Sequence, residues 1–283
     1  MSTSCEPLLL NIKILLLHFP HLGSWLRHEL LNFLRCPECR GELRITAERS
    51  WRGEVVAGSL TCKSCKASFR IVGGIPSLVA RSCVKRSNRL QKLLYDLYAP
   101  LYDHVEGRLG RLAGFGEESL RREVVHRMGI GPSDNVLEVC IGTGGNVPYF
   151  RKYTDGLIVG VDISINMLRV CSRKALQLRW SRLELVQGCA EHLPIRSESF
   201  DRVLIGGGIS YFSDPRRALA EAARVAKPGA KVVVYEQVTP LERVLKKANP
   251  PLTIAPSSLT PVGLTYLFDR AFYVVEFVKQ GAR

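Results

Sequence analysis

Val136-Leu-Glu-Val-Cys-Ile-Gly-Thr-Gly-Gly-Asn146 decides the fold of this chain, together with Asp162 at the end of the next apolar run. An apolar strand is predicted over residues 135–139, followed by a glycine turn and a helical pattern. A second strand over residues 157–161 delivers the acidic side chain of Asp162 at its carboxyl end. This order predicts a doubly wound α/β sheet whose first turn holds a nucleoside, with Asp162 accepting hydrogen bonds from the ribose hydroxyls.

The same turn narrows the choice of nucleoside ligand. A phosphate-binding P-loop needs Gly-Lys-Ser/Thr, which does not follow here, and the spacing of a dinucleotide fingerprint, Gly-x-Gly-x-x-Gly, is not met. Glu138 inside the strand, followed by Gly142-Thr-Gly144, suits a ligand with an amino-acid tail in place of phosphates. The stretch therefore predicts S-adenosylmethionine.

Composition limits the class of protein. The 283 residues carry a formal charge of +14, and the first 99 hold 15 Lys/Arg against 7 Asp/Glu. A basic front end favours an anionic partner such as RNA or a membrane surface, and a well-solvated surface is the alternative. No secretion signal is visible, and the apolar run over residues 8–19 is shorter than the roughly 20 residues of a membrane span. We therefore expect a cytoplasmic protein with reduced thiols and no transmembrane segment.

Two short cysteine motifs predict a metal site. Cys36-Pro-Glu-Cys39 and Cys62-Lys-Ser-Cys65 place four thiolates at the spacing of a tetrahedral zinc site. Strand-like segments at 42–46 and 54–60, separated by Arg52-Gly53, fit a hairpin between them. Four cysteines leave no open position on the metal, so the zinc is predicted to be structural. Disulfide pairing is the alternative.

The chain divides into four predicted segments. Residues 1–34 are expected to be helical with a break near Pro20, packing on their own domain or touching a membrane surface. Residues 35–80 form the small zinc-ribbon domain, and residues 81–93 a basic linker. Residues 94–283 form the mostly parallel doubly wound domain.

The ribbon resembles a known family. Leu30-Leu-Asn-Phe-Leu-Arg-Cys-Pro-Glu-Cys-Arg-Gly-Glu-Leu43 and Phe69-Arg-Ile-Val-Gly-Gly-Ile-Pro-Ser-Leu78 are similar to the zinc-ribbon activator subunit of tRNA and rRNA methyltransferases. In that family the ribbon is usually a separate chain. The resemblance implies that an activator-like module is fused here to the domain that follows it.

From about residue 94 the chain resembles class I S-adenosylmethionine-dependent methyltransferases of type 11, in the branch of the ubiquinone and menaquinone C-methyltransferases. The resemblance implies their Rossmann-like fold and their activity. Beyond residues 136–146, the motifs that carry it are Tyr95-Asp-Leu-Tyr-Ala-Pro-Leu-Tyr-Asp103, Gly160-Val-Asp-Ile-Ser-Ile-Asn-Met-Leu168, Gly188-Cys-Ala-Glu-His-Leu-Pro-Ile195, Ser199-Phe-Asp-Arg-Val203 and Arg224-Val-Ala-Lys-Pro-Gly-Ala230.

The resemblance also implies a set of cofactor contacts. Glu138 would lie at the ammonium group, Asp162 at the ribose, and Ile163 and Met167 against the adenine. The strand ending at Gly206 would leave its backbone beside the sulfonium. The full predicted set is Glu138, Cys140, Gly142, Thr143, Gly144, Asn146, Asp162, Ile163, Met167, Cys189, Ala190, Glu191 and Gly206.

Three features depart from the family pattern. Cys140 stands where its first glycine usually lies, and Cys189 stands where an aspartate usually meets the adenine amino group. Losing one hydrogen bond to a charged acceptor costs about 1.5–3 kcal/mol, so weaker binding is expected, and Glu191 could compensate. At the carboxyl end, a helix over 259–271 and one strand over 272–279 predict a sheet of six strands instead of seven.

Candidate catalytic residues are aromatic or basic side chains near the predicted methyl position. The tyrosines at 95, 98 and 102 are expected to cover the cofactor. A general base is needed where the acceptor loses a poorly acidic proton, and the candidates for that role are Asp103, His104, His192 and Tyr211. The residues predicted to act in catalysis are Tyr102, His104 and Tyr211.

Three functions remain open from the residues alone. The first is methyl transfer by in-line displacement to a small-molecule, lipid or quinone-like acceptor. The second is methylation of rRNA or tRNA, with the ribbon and the basic linker holding phosphates. The third is a non-enzymatic interaction protein whose cofactor fold has degenerated at Cys140 and Cys189.

Overall fold

The computed structural model describes residues 26–83, 116–245 and 248–281. Several predictions lie outside these ranges: the helix over residues 1–25, most of the basic linker, the tyrosines at 95, 98 and 102, and the candidate bases Asp103 and His104. Within the described ranges, no helix is both long and apolar enough to cross a membrane.

The larger part of the chain is a seven-stranded sheet with flanking helices. Its strands are β5 (Val136–Val139), β6 (Ile158–Asp162), β7 (Leu183–Gln187), β8 (Phe200–Gly206), β9 (Ala226–Gln237), β10 (Leu259–Leu267) and β11 (Phe272–Lys279). Their order is β10-β11-β9-β8-β5-β6-β7. The five strands from β9 to β7 are parallel, while β11 runs antiparallel to both of its neighbours. This confirms the predicted α/β class.

Helices cover the sheet because the central strands are apolar on both faces. The helices are α1 (Glu117–Met128), α2 (Val147–Phe150), α3 (Ile165–Gln177), α4 (Pro215–Val225) and α5 (Pro240–Leu245). The first three pack with Val136, Ile158 and Leu204 in the core of one face. On the opposite face, α4 shares a core with Val159 and Val203.

The predicted helix over residues 259–271 was wrong, and so was the six-stranded sheet. Residues 259–267 form β10, paired with β11 through Leu267↔Phe272. Phe268, Asp269 and Arg270 all have positive φ, which turns the chain tightly enough for a hairpin. Residues such as Thr260, Val262, Thr265 and Tyr266 favour a strand, and the antiparallel pairing outweighed the apolar spacing that had indicated a helix.

The amino-terminal described part is a four-stranded antiparallel sheet of β1 (Leu43–Trp51), β2 (Glu54–Cys62), β3 (Ser68–Val72) and β4 (Ile75–Pro76), in that order. The hairpin predicted between the cysteine motifs is present, and longer than expected. Arg52 and Gly53 both adopt positive φ, as a two-residue hairpin turn of type I′ requires.

The helix predicted up to residue 34 was wrong over its described part. Only His28–Asn32 is helical, as a short 3-10 turn. Leu26 pairs with Val55 and Leu34 with Ile195 as isolated β-bridges on either side of the turn. The leucines at 26, 30 and 34 are fully buried. Their apolar spacing therefore reflects packing between the ribbon and the large sheet, and not a helix face.

The ribbon and the methyltransferase-like sheet share one core. Leu30, Leu60 and Leu78 of the ribbon lie in the same apolar cluster as Val161 and Val186 of the sheet. Backbone hydrogen bonds also join the ribbon part to the large sheet part: Arg35 N donates to Pro194 O, Arg196 N to Phe33 O and Leu78 N to Gln187 O. The ribbon thus covers part of the sheet face that α4 leaves open.

Candidate active site and metal centre

The four cysteines of the ribbon converge. Their Sγ atoms all lie within 4.8 Å of one another. Each knuckle is closed the same way: Arg40 and Lys66 have positive φ and donate their backbone N–H to Cys36 O and Cys62 O. Four thiolates at this distance fit a closed tetrahedral zinc site, in which the metal supplies folding energy and no open position for a substrate.

The glycine turn after β5 is a left-handed backbone segment. Cys140, Gly142 and Gly144 have φ of 64°, 55° and 80°. Gly142 N donates to Asp162 Oδ2 at 2.9 Å, and Ser164 N donates to Asp162 Oδ1 at the same distance. These two backbone contacts orient the Asp162 carboxylate at the end of β6.

A small cavity of about 130 Å³ opens beyond the carboxyl ends of β5, β6 and β7. Asp162, Ile163 and Met167 form one wall, and Ala190 and Glu191 form the other. Glu191 accepts from Ser213 N at 2.9 Å, so one of its oxygens is already held by the protein. The acidic side chain of Asp162 suits the hydroxyls of a ribose, and the apolar side chains of Ile163 and Met167 suit the ring of an adenine.

A larger cavity of about 740 Å³ adjoins it. Glu138 is buried on its wall, and its Oε1 accepts from Asn146 Nδ2 at 2.6 Å. The other oxygen, Oε2, has no hydrogen-bond partner within the described residues. Burial raises the pKa of Glu138 to about 8, against the opposing effects of Asn146 and Arg121. A buried carboxylate oxygen without a partner is suited to an ammonium group.

Arg121 is a site residue that the sequence analysis missed. It lines the larger cavity, donates to Asn146 Oδ1 at 3.1 Å and pairs with Glu117. A Cβ at Gly145 would lie 2.3 Å from the Arg121 Cζ atom, so this glycine makes room for the guanidinium. Arg121 offers a positive charge to the carboxylate of an amino-acid ligand tail, and Glu138, once it has lost its proton, offers a negative charge to the ammonium. In the sequence, Arg121 is one of several charged residues in an ordinary helical pattern, which gave no signal.

The two cavities meet at Cys140, Gly142, Gly206, Gly207 and Tyr211, which line both. A Cβ at Gly206 would lie 3.3 Å from Glu138 Oε1. Burial raises the pKa of the Cys140 thiol well above its usual range, reinforced by the charges of Asp162 and Glu236, so the thiol is neutral. The junction therefore offers a neutral surface with little side-chain bulk.

Glu236, near the end of β9, is another of the acidic groups that line the larger cavity. Ser210 donates to Glu236 Oε2 twice, from N at 3.1 Å and from Oγ at 2.8 Å. Burial raises the pKa of Glu236, and the hydrogen bonds from Ser210 oppose that rise. The sequence analysis missed Glu236 because it lies about 100 residues from the glycine turn.

The predicted site residues fall into three groups. Twelve of the thirteen predicted cofactor residues line one or both cavities. Gly144 lines neither cavity. A Cβ there would meet Cys171 Sγ at 2.6 Å, so the absence of a side chain at Gly144 allows α3 to pack closely. Among the candidate catalytic residues, Tyr211 lines both cavities, while His192 lines neither and contacts Arg217 and Ser82. Tyr102 and His104 lie outside the described residues.

Cys189 differs from its expected chemistry. It lines the small cavity, but its sulfur is bonded to Cys83 in a disulfide, with the Cα atoms 6.6 Å apart. The expectation that the thiols are reduced does not hold for this pair. The bond ties the end of the ribbon to the cavity wall.

Comparison with protein families gives two matches along the chain. Residues 87–252, more than half of the chain, match the ubiE/COQ5 methyltransferase family. Residues 27–74 match the Trm112p-like proteins.

Similar curated proteins include two demethylmenaquinone methyltransferases. The one from Oceanobacillus iheyensis is 32% identical over 152 residues, which cover 53% of this chain and 64% of that enzyme. The one from Renibacterium salmoninarum is 37% identical over 145 residues, covering 50% of this chain and 56% of that enzyme. The chain thus spans less than two thirds of the length of either relative.

Among solved structures, a chain from the complex between the Haloferax volcanii Trm112 methyltransferase activator and a putative methyltransferase superposes with a TM-score of 0.55. The identity is 17%, and the match covers 66% of this chain and 98% of that one. This likeness supports the methyltransferase fold.

Proposed function

The chain belongs to the ubiE/COQ5 methyltransferase family, and from that premise we propose that it transfers the methyl group of S-adenosylmethionine to a small aromatic, quinone-like acceptor. We also propose that the ribbon holds a structural zinc ion and that the two domains span residues 35–80 and 94–283. We propose a cytoplasmic location for the protein.

The observation that carries the proposal is the unpartnered oxygen of Glu138 beside the junction of the two cavities. Glu138 would hold the ammonium of the cofactor and Arg121 its carboxylate, while Asp162 would hold the ribose. These contacts would place the cofactor sulfur near Cys140 and Gly206. The methyl group would then face the larger cavity, where an acceptor could approach.

When bound, S-adenosylmethionine supplies an activated methyl group on a sulfonium, so the protein mainly has to align the acceptor with it and exclude water. The backbone at Gly206 and Gly207 leaves room for the acceptor to approach in line. Tyr211 stands at the boundary of both cavities, where it could cover the reacting atoms.

Glu236 is the proton acceptor that this geometry favours. Methylation of a phenolic ring carbon is faster when the neighbouring hydroxyl loses its proton, and the ring carbon must also lose one proton. The buried carboxylate of Glu236 has a raised pKa and faces the cavity that would hold the ring. Ser210 fixes its orientation through two hydrogen bonds.

Labelling of total extracts tests the acceptor class. The purified zinc-loaded protein is incubated with methyl-labelled S-adenosylmethionine and, separately, with total lipid extract and total RNA. We expect label in a quinone-like compound of the lipid extract. A Glu138→Gln variant is the control and should give less label at a subsaturating concentration of S-adenosylmethionine. Label confined to the RNA would replace the acceptor with a nucleic acid, and the exposed arginines at 44, 49, 52 and 70 of the ribbon would then become candidate phosphate contacts.

A further inference from the structure

We propose that Cys83 and Cys189 are a reversible thiol–disulfide pair whose oxidised form holds the adenosine end of the cofactor site in its binding shape. This inference rests on the proposed function for the identity of the ligand. The pair itself rests on the bond between the two sulfur atoms.

The bond joins two segments that come from different parts of the chain. Cys83 ends the 3-10 turn Arg81–Cys83, directly after the ribbon sheet, and Cys189 follows β7 by two residues. Their separation in sequence is 106 residues. Together with Ala80 they form a small apolar cluster, against which Ile163 of the small cavity packs.

Only one of the two cysteines belongs to the cavity wall. Cys189 lines the small cavity beside Ala190, and Cys83 does not. Cys83 therefore acts on the cavity through the bond to Cys189, as a positioning residue. This difference allows the bond to be removed without changing a residue that would touch the ligand.

The chain is held by hydrogen bonds on both sides of Cys189. Gly188 N donates to Asp162 O at 3.0 Å, and a Cβ at Gly188 would meet both Pro194 and Val161, so the chain is closely packed before Cys189. After it, residues 189–192 form a turn in which His192 N donates to Cys189 O at 3.2 Å, while Ser213 N donates to Glu191 Oε1 and Arg217 Nε donates to Glu191 O, both at 2.9 Å. A covalent link at Cys189 restricts this turn.

The redox step is a thiol–disulfide exchange. A small-molecule disulfide such as oxidised glutathione is attacked by one cysteine thiolate, giving a mixed disulfide and one released thiol. The second cysteine then attacks the mixed disulfide, so the Cys83–Cys189 bond forms and a second thiol leaves. Two protons are lost by the cysteines, and the two electrons reduce the external disulfide. Both cysteines are buried, so we expect exchange to wait for opening of the turn at residues 81–83.

A metal site at the same place is a different use of these groups. Cys83, Cys189 and Glu191 bring their ligand atoms within 4.8 Å of one another. The two sulfur atoms are bonded to each other, however, and a disulfide is not a thiolate ligand. The oxidised pair thus excludes the metal.

The experiment compares the zinc-loaded full chain in oxidised and reduced glutathione buffers. Differential alkylation with mass spectrometry identifies the state of each cysteine, and calorimetric titration with S-adenosylhomocysteine measures affinity. We expect a Cys83–Cys189 link only in the oxidised buffer, and an affinity about fivefold or more lower in the reduced buffer, at the low end of typical coupling between sites. Zinc content is measured in both buffers, to exclude an effect of the ribbon.

Cys83→Ser is the matched variant, because it removes the bond and leaves Cys189 in the wall. It should show the reduced-form affinity in both buffers; should it not fold, the wild-type comparison still decides. Equal affinity of the wild type in both buffers, or no link with binding intact, would overturn this proposal alone. Binding in neither buffer while the link still forms would overturn the control of affinity together with the proposed function.

Discussion

The metal centre and the cofactor site are both built around cysteines and positive-φ turns, but they are assembled in opposite ways. Cys36, Cys39, Cys62 and Cys65 lie in two short knuckles with the same cysteine spacing, and each knuckle is closed by a local backbone hydrogen bond. The cofactor site gathers side chains from α1, from the ends of β5, β6, β8 and β9, and from the segment after β7. The first needs little of the fold, whereas the second needs most of it.

This difference says where each site is vulnerable. If the ribbon holds a zinc ion, as we propose, its removal would break the link between the two knuckles and, with it, the support of the small core. The cofactor site depends on several elements at once, and the Cys83–Cys189 bond is one of its links, so a single change in it should alter affinity or rate while leaving the fold intact. Because the ribbon and the large sheet share one apolar core, unfolding of the ribbon would also affect the cofactor site.

Removal of the metal should have the largest effect. Structural zinc in small ribbons contributes on the order of 10 kcal/mol, about as much as the whole stability of a typical domain. We expect chelation to unfold the ribbon and to lower the melting temperature of the entire chain, because Leu34 and Leu78 bury themselves against the large sheet. Circular dichroism melts with a parallel zinc assay measure this. Recovery on adding zinc is the control, and an unchanged melt after complete zinc loss would contradict a joint core.

Replacement of Glu236 should have the next largest effect, on rate alone. We expect Glu236→Gln to lower kcat about 100-fold, the lower range for loss of a general base, with little change in affinity for S-adenosylmethionine. Steady-state kinetics and calorimetry separate the two. Glu242→Gln is the matched control, since Glu242 also lines the larger cavity but accepts from Thr239. Equal losses in the two variants would remove Glu236 from catalysis.

The dependence of cofactor affinity on pH should be smaller and should trace to Glu138. Burial raises the pKa of Glu138 to about 8, so the carboxyl is mainly neutral at pH 7 in the cofactor-free protein. The protonated Glu138 therefore contributes fully to the free energy of unfolding below pH 4.5, the pKa of glutamate in the unfolded chain. This contribution is lost as the pH rises through about 8. Pairing with an ammonium requires the ionised carboxylate of Glu138, so binding below pH 8 releases a proton. The affinity for the cofactor therefore falls about tenfold for each unit by which the pH is lowered.

The ligand amino group limits the other side of the profile. An α-amino group has a pKa of about 7.7–8.0 and loses its charge at higher pH, so affinity should be greatest near pH 8. Glu138→Gln should bind about tenfold or more weakly there and should lose the acidic slope. Calorimetry in buffers of different ionisation enthalpy measures the proton released. An acidic slope that persists in Glu138→Gln would assign the proton to another group.

Local motifs explain what the sequence could predict. Cys36 to Cys65, the strands β5 and β6, and Asp162 are recognisable because neighbouring residues determine their geometry. The hairpin β10–β11 was missed because a turn at Phe268–Arg270, without glycine, hides the strand boundary. The helix expected up to residue 34 failed for a tertiary reason, because its leucines pack against the large sheet.

Part of the larger cavity could not be predicted, for the same reason. Arg121 and Glu236 belong to two elements that meet only when the sheet has formed. The disulfide between Cys83 and Cys189 also depends on the ribbon docking on the sheet. The position of Tyr211 beside the cavities could be predicted because it follows the glycines at the end of β8; its role in catalysis stays a prediction.

The smallest effect is expected at the ionic part of the joint between ribbon and sheet. Arg40 donates to Glu221 at 2.7 Å, but Glu221 is also held by Arg224 through two bonds of 2.8 Å. Arg40 is half-exposed, and partly exposed ion pairs contribute at most about 1 kcal/mol. We therefore expect Arg40→Ala to lower the free energy of unfolding by less than about 1 kcal/mol in urea titrations.

Leu34→Ala is the contrasting control at the same joint. Leu34 is fully buried between ribbon and sheet, and loss of a leucine side chain from such a site costs about 2–5 kcal/mol. If Arg40→Ala costs as much as Leu34→Ala, the joint is ionic, and raised salt should then separate the ribbon from the sheet. If Leu34→Ala lowers the free energy of unfolding more, the joint is mainly apolar. The effect of zinc loss then reaches the cofactor site through the buried leucines, because the ribbon and the sheet share them.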